Sequence, residues 1–296
     1  MGLDLNDVLF LVAAKKRGLE LGDTVTLGRL DLMVYPAKIR EVFARAGIAP
    51  GVFAEGNPTP HYSEGVFQCL GARSVTAMDF SDYEGAQVLH DLNQPIRDEL
   101  KQKYDLVYDG GTLEHVFNFP VALKSCMEMV REGGRLIIHG PANNWCGHGF
   151  YQFSPELFYS AFSEANGYEV ERMVLHVVGP YNRWYEVADP RTIRSRVELY
   201  NWAAPLLIMV QARRKRVVPI FPTPPLQSDY VPQWEAGKEP VQATAKVQNE
   251  DGSALVRMMP GLARLRRVIR NGWKMVHGNS LGNRVKFTPV DKYKWD

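Results

Sequence analysis

Three cysteines, Cys69, Cys126 and Cys146, are all that the 296 residues contain, and none stands in C-x-x-C or Cys/His ligand spacing. Neither a disulfide framework nor a zinc site is expected, which fits a reducing cytoplasm. Long apolar runs are missing as well. Val8 to Ala14, the longest near the N-terminus, is too short to cross a bilayer and follows acidic residues rather than basic ones, so neither a span nor a signal peptide is expected. Met1-Gly2 opens like a myristoylation site, but Asn6 stands where Ser or Thr belongs. Net charge is nearly absent at +2, which gives no ground for nucleic-acid binding. There is also no G-x-G-x-x-G turn. Without one, the pyrophosphate of a nicotinamide dinucleotide finds no close backbone approach, and an oxidoreductase of that kind is disfavoured.

What is present is an ordinary globular composition, 45% hydrophobic and 23% charged, and a strand–helix alternation. Leu5, Val8, Leu9 and Val12 recur at helical spacing, and Asp23–Gly28 reads as a short buried strand. A helix over Pro36–Gly47 is followed by a Pro- and Gly-rich insertion, Ala49–Pro60, and a second helix, Tyr62–Leu70. Strands are expected at Ser74–Asp79, Ala86–His90, Tyr104–Tyr108, Arg135–His139, Tyr168–Val178 and Ala204–Ala212. Helices are expected at Gln94–Lys103, Phe119–Arg131 and Pro155–Asn166. Such alternation predicts a mostly parallel sheet covered by helices on both faces. The domain carrying it is placed at residues 1–215. Residues 216–296 form an extension, Pro-rich over Val217–Gly237, polar over Lys238–Ser253 and basic beyond.

Ligands of open parallel sheets bind outside the carboxyl ends of the strands, so the residues following each strand carry the argument. They are Gly28-Arg29 after the first, Asp79-Phe80 after the second, Asp91-Leu92-Asn93 after the third, Asp109-Gly110-Gly111 after the fourth and His139-Gly140-Pro141 after the fifth. Three carboxylates on one rim suit a ligand offering two ribose hydroxyls, an exocyclic amine and a positive charge.

The stretch Tyr104-Asp-Leu-Val-Tyr-Asp-Gly-Gly-Thr-Leu-Glu-His-Val116, with Glu128-Met-Val-Arg-Glu-Gly-Gly-Arg-Leu-Ile-Ile138 and Asp91-Leu-Asn-Gln-Pro95, resembles class I S-adenosylmethionine-dependent methyltransferases over roughly residues 20–178. The resemblance implies a Rossmann-like α/β fold with a seven-stranded sheet, its last strand antiparallel, and S-adenosyl-L-methionine as methyl donor. By position, Asp79 and Phe80 would hold the ribose side, Asp91 and Leu92 would flank the adenine, and Asp109, Gly110 and Gly111 would line the methionine part. The family's glycine-rich loop is degenerate here: Leu27-Gly28-Arg29-Leu30-Asp31-Leu32 has one glycine. Gly28 and Arg29 are therefore assigned to the cofactor, Arg29 through a charge-assisted bond to its carboxylate. The rival is a non-catalytic Rossmann domain that lost the cofactor and serves as a binding or assembly partner. An Arg29–Asp31 pair over an occluded pocket would favour it.

Pro141–Glu156 resembles the acceptor-side loop of methyltransferases of sugar and polysaccharide biosynthesis. Transfer to a hydroxyl needs a base, and His148 is the first candidate, with Tyr151 and Asn144 orienting the acceptor. His115 and His139 are alternative bases. Trp145, and His61 from the inserted loop, are placed against the acceptor. No metal is expected. The acceptor is read as a hydroxyl-bearing molecule, saccharide in character, with a small natural product as the alternative. Leu262, Leu265, Ile269, Trp273 and Val276 share one helical face amid five basic residues. The helix 261–276 could pack on its own domain, or lie on the inner face of an anionic membrane as a peripheral contact.

Overall fold

The computed structural model describes residues 2–179, 182–200, 204–228, 269, 272–273 and 278–295. Helix α1 (Leu5–Lys16) starts at a reciprocal cap. Asp4 accepts from the Asn6 and Asp7 amides while the Asp7 carboxylate accepts from the Asp4 amide. It is buried from Asn6 to Ala14 rather than along one stripe, as a helix pressed between a sheet and further helices must be. Helices α2 (Pro36–Ala46) and α3 (Glu64–Cys69) lie in the same apolar cluster as α1, while α4 (Phe119–Met129) and α5 (Pro155–Ala161) lie in a second. A one-turn helix, α6, covers Pro190–Ile193.

Among the described residues, the sheet between these clusters has nine strands in the order β5-β4-β2-β6-β7-β10-β8-β9-β11. They are β2 (Gly22–Leu27), β4 (Ala72–Asp79), β5 (Val88–Leu89), β6 (Tyr104–Gly110), β7 (Val130–Asn143), β8 (Tyr168–Val177), β9 (Trp184–Val187), β10 (Leu206–Arg214) and β11 (Phe287–Val290). β5, β4, β2, β6 and β7 are mutually parallel, and β10 runs antiparallel to both β7 and β8. The expectation of seven strands is thus corrected to nine. The antiparallel strand is present, and β9 and β11 extend the edge beyond β8 by antiparallel pairing. Alternate residues of the central strands enter opposite clusters. Leu136 and Ile138 of β7 go to the α4/α5 side and Ile137 to the α1/α2/α3 side, the two-residue period of a strand buried on both faces.

The sheet order reverses on either side of β2, since the chain moves outward to β4 and β5 before returning to β6 and β7. That switch point lies at the carboxyl ends of β2, β4 and β6, where a crevice is topologically required. A separate pair, β1 (Gly2–Leu3) with β3 (Asp31–Leu32), sits just after β2, where a glycine-rich loop would be. The expected helix over Gln94–Lys103 is instead a turn and a single 3₁₀ turn, Asp98–Leu100. The basic run at the end of β10 is not simply solvated. Arg214 is buried, and its Nη1 donates to the carbonyls of Met127, Glu128 and Val130, satisfying the end of α4. Of the basic amphipathic segment 261–276, Ile269, Gly272 and Trp273 are described and exposed; the rest lies outside the described residues.

Candidate active site at the carboxyl rim of the sheet

At the rim, Asp79 ends β4 with one oxygen taking the Phe80 amide at 2.6 Å, and the Phe80 ring is left 75% exposed. Asp91 follows β5 in a tight turn. Its Oδ1 accepts from the backbone and side-chain amides of Asn93 at 2.9 and 2.8 Å, which hold the carboxyl below its usual range. Leu92 beside it is buried. The expected cofactor residues of β4 and β5 thus present one exposed ring, one apolar floor and two carboxylates.

The first-strand side is rebuilt. Gly28 has φ +76° and continues the ladder by donating to the Met78 carbonyl at 2.6 Å. Arg29 stacks on Tyr62 at 3.8 Å, donates from Nε to Glu64 at 2.7 Å and from Nη1 to the Glu84 carbonyl at 3.0 Å. Arg29 is therefore paired with Glu64, not Asp31, and Nη2 is the guanidinium nitrogen without a hydrogen bond among the described residues. Asp31 faces His61 instead, 3.4 Å away. Leu30 is buried against Gly110, where an added Cβ would lie 3.1 Å from it. The glycine of the fourth strand end thus admits a protein side chain.

Asp109 is fully buried. One oxygen accepts the Thr112 amide at 2.8 Å and the other has no partner among the described residues. Burial, reinforced by the nearby Glu114 charge, pushes its carboxyl well above the usual range. Gly111, at φ +94°, turns the chain into the 3₁₀ turn Leu113–His115. Glu114 points inward and is 1% exposed; burial is the largest influence on its carboxyl and raises it.

The loop after β7 is fastened over this turn. Phe150 and Tyr151 both donate their amides to the Glu114 carbonyl, at 2.8 and 3.2 Å, and an added Cβ on Gly149 would sit 2.8 Å from that oxygen. This close approach brings His148 Nε2 to 3.5 Å from Glu114 Oε1, with His115 Nε2 4.0 Å from the same oxygen. Trp145 leans on His148 with ring centroids 4.9 Å apart. Tyr151 joins the loop, but its hydroxyl donates to the Phe117 carbonyl at 2.6 Å, a holding role. Asn144, at φ +60°, ties the loop to Ala204 through its side chain. His61 stands across the first-strand loop with Asp31.

Residues that sequence reasoning passed over now stand out. Glu114 is the shared neighbour of both candidate histidines; its place in the Leu-Glu-His-Val run was the available signal. Phe117 and Phe150 form an exposed edge-to-face pair 5.8 Å apart beside the loop. A cleft of about 410 Å³ continues from Ala142 and Asn143 past Glu156 to Arg196, Glu198 and Tyr200. His139 does not join the site directly. It turns to the α1 face, where Nδ1 meets Asp7 at 2.5 Å and Nε2 meets His176 at 2.9 Å, with Tyr108 donating to the same Asp7 oxygen.

No protein-family model and no curated protein matches the chain. Among solved structures, TehB from Haemophilus influenzae is similar at 14% identity and TM-score 0.38, over 70% of this chain and 62% of that one, less than two thirds of its length. A putative sarcosine dimethylglycine methyltransferase from Galdieria sulphuraria aligns at 10% identity and TM-score 0.41, over 72% and 86% of the two chains. Burkholderia thailandensis 1,6-didemethyltoxoflavin-N1-methyltransferase, bound to its namesake compound and S-adenosylhomocysteine, aligns at 12% and 0.35, over 72% and 80%.

Proposed function

We propose that the chain is an S-adenosylmethionine-dependent methyltransferase acting on a hydroxyl of a saccharide-like acceptor. The observation that carries this is the rim itself. Carboxylates close β4 and β5 beside an exposed ring and a buried leucine, on the same rim as the point where the sheet order reverses. Asp79 suits the ribose hydroxyls, Asp91 the adenine amine, and Phe80 with Leu92 its faces, so the residues fit the adenosyl half of the cofactor. Toward the methionine half, Arg29 offers Nη2 to a carboxylate from a guanidinium already oriented by Glu64 and Tyr62. When bound, the cofactor supplies a methyl group on a sulfonium.

The chain's part is to hold the acceptor and accept its proton. The Glu114 carboxylate faces both imidazoles. Acting without a cation, His148 takes the hydroxyl proton as base, worth about 10²–10⁴-fold in rate, with His115 as its alternate. Trp145, Phe117 and Phe150 offer apolar surface to the acceptor. The cleft behind Asn143, with Arg196, Glu198 and Tyr200 on its walls, suits a polyhydroxyl molecule.

Methyl-labelled cofactor incubated with nucleotide sugars and oligosaccharide fragments tests the acceptor. Label in a sugar ether that is lost in His148→Ala supports the proposal. Label only in small non-sugar hydroxyl compounds would replace the saccharide with a natural product.

A further inference from the structure

The acceptor-side cluster has more converging donors than a base requires. An imidazole base needs one orienting carboxylate; here a ring nitrogen of each histidine and a Glu114 carboxylate oxygen converge, all within 4.8 Å of one another. Neither histidine is close enough to Glu114 for a hydrogen bond, at 3.5 and 4.0 Å. The second oxygen, Glu114 Oε2, is buried with no partner among the described residues. A buried carboxylate so poorly satisfied is costly unless a proton or a cation meets it.

A second trio, Asp4, Asp7 and His139, also converges but is already committed. Asp4 and Asp7 cap one another and the start of α1, and Asp7 takes the His139 and Tyr108 hydrogen bonds. Among the described residues no side-chain hydrogen bond joins the members of the first trio, and its two histidines are 45% and 41% exposed, open to entry from solvent.

We propose that Glu114, His115 and His148 bind a divalent transition cation, with the carboxylate as its buried ligand and the two imidazoles closing over it. Ligands about 2.0–2.2 Å from a metal stand roughly 3.0–3.5 Å from each other, so the cluster needs to contract by at most about 1.8 Å. Two imidazoles with one carboxylate select a zinc-, cobalt- or iron-like ion over magnesium. Three protein ligands leave positions open for oxygen atoms of an acceptor. The fastening of Gly149, Phe150 and Tyr151 to residue 114 then acts as the outer support that aims His148. In the cation-loaded protein His148 is a ligand rather than the base. The sequence hides this site because residues 115 and 148 fall on separate strand connections.

That the cation faces an acceptor hydroxyl rests on the methyltransferase proposal; that it binds does not. Chelator-treated full-length protein, free of cofactor, is titrated with Co²⁺ and followed by equilibrium dialysis and visible absorption. One equivalent with ligand-field bands is expected in wild type and in His90→Ala. His148→Ala and Glu114→Gln are expected to weaken binding by at least about tenfold, with near-ultraviolet dichroism confirming that each is folded. His148→Ala alone suffices should Glu114→Gln fail to fold, because residue 148 is exposed. No stoichiometric uptake in wild type, or uptake undiminished in His148→Ala, overturns the site. Uptake without any cofactor-induced stabilisation keeps the site and retires the methyltransferase proposal; the reverse outcome retires the site alone.

Discussion

His139 and His176 touch through their Nε2 atoms, yet their surroundings act on them in opposite senses. Burial disfavours charge on His139, but the Asp7 charge and hydrogen bond outweigh it and lift the imidazole to about 9. Burial, then the His139 charge, lower His176 to about 3. His139 is thus the charged donor and His176 the neutral acceptor, whose Nδ1 has no partner among the described residues. A raised pKa contributes stability that is complete below the unfolded value and lost as pH rises through the folded one. A lowered histidine pKa contributes stability above the unfolded value that is lost as pH falls. This pair's contribution to stability, followed by urea unfolding, should therefore be greatest near the ordinary histidine value of about 6.5. It should decline toward pH 9, and His139→Gln should flatten that alkaline arm. A wild-type profile that is level across that window would refute the charge assignment. Of this pair, the sequence offered His139 only as an alternative base at a strand tip and gave His176 no context. Their meeting across β7, β10 and β8 depends on sheet order, which no local pattern carries.

Among the elements, those with a sustained period or a clear stop were legible. Gly47, in the left-handed conformation, ends α2 where a helix stop was expected. Three elements were misread or missed for physical reasons. In Gln94–Lys103 the apolar positions are Ile96 and Leu100 alone, and both are buried without a continuous helix because Pro95 and the turn at Asp91–Asn93 interrupt its start. β9 and β11 have four residues each and pair over a separation of about a hundred residues, so neither shows a pattern of its own. The loop after β7 was legible as chemistry but not as geometry. Its position depends on Gly149 approaching the Glu114 carbonyl, and Gly149→Ala puts a methyl carbon within 2.8 Å of that oxygen. This substitution should displace His148 from Glu114, weakening Co²⁺ binding while changing the melting temperature little. Wild-type Co²⁺ affinity in Gly149→Ala would show that the loop is placed by something else.

At the scale of the whole molecule, the family resemblance implied a seven-stranded sheet with one antiparallel strand; the parallel set and the antiparallel β10 are found, but among the described residues the sheet has nine strands and β9 also runs against the parallel set. The composition change after residue 215 suggested an extension, yet Phe287 of β11 is fully buried in the same core as α4 and α5. Phe287→Ala should cost about 3–5 kcal/mol, the usual range for emptying a core aromatic site. A loss below 1 kcal/mol or so in urea unfolding would mean that the last residues contribute little to the sheet. The first-strand loop bears on the central claim, because Leu30 and Arg29 stand where the resembled family has glycines. Thermal unfolding of wild type and Asp91→Ala, each with and without S-adenosylmethionine and S-adenosylhomocysteine, tests that claim most directly. Ligand at a hundred times its dissociation constant stabilises by about 2.7 kcal/mol, a rise of roughly 5–10 °C for a domain of this size. A rise in wild type that shrinks in Asp91→Ala is the predicted result. No rise with either ligand, in folded protein free of bound cofactor, would contradict the methyltransferase assignment and leave a Rossmann-like domain that has lost its cofactor.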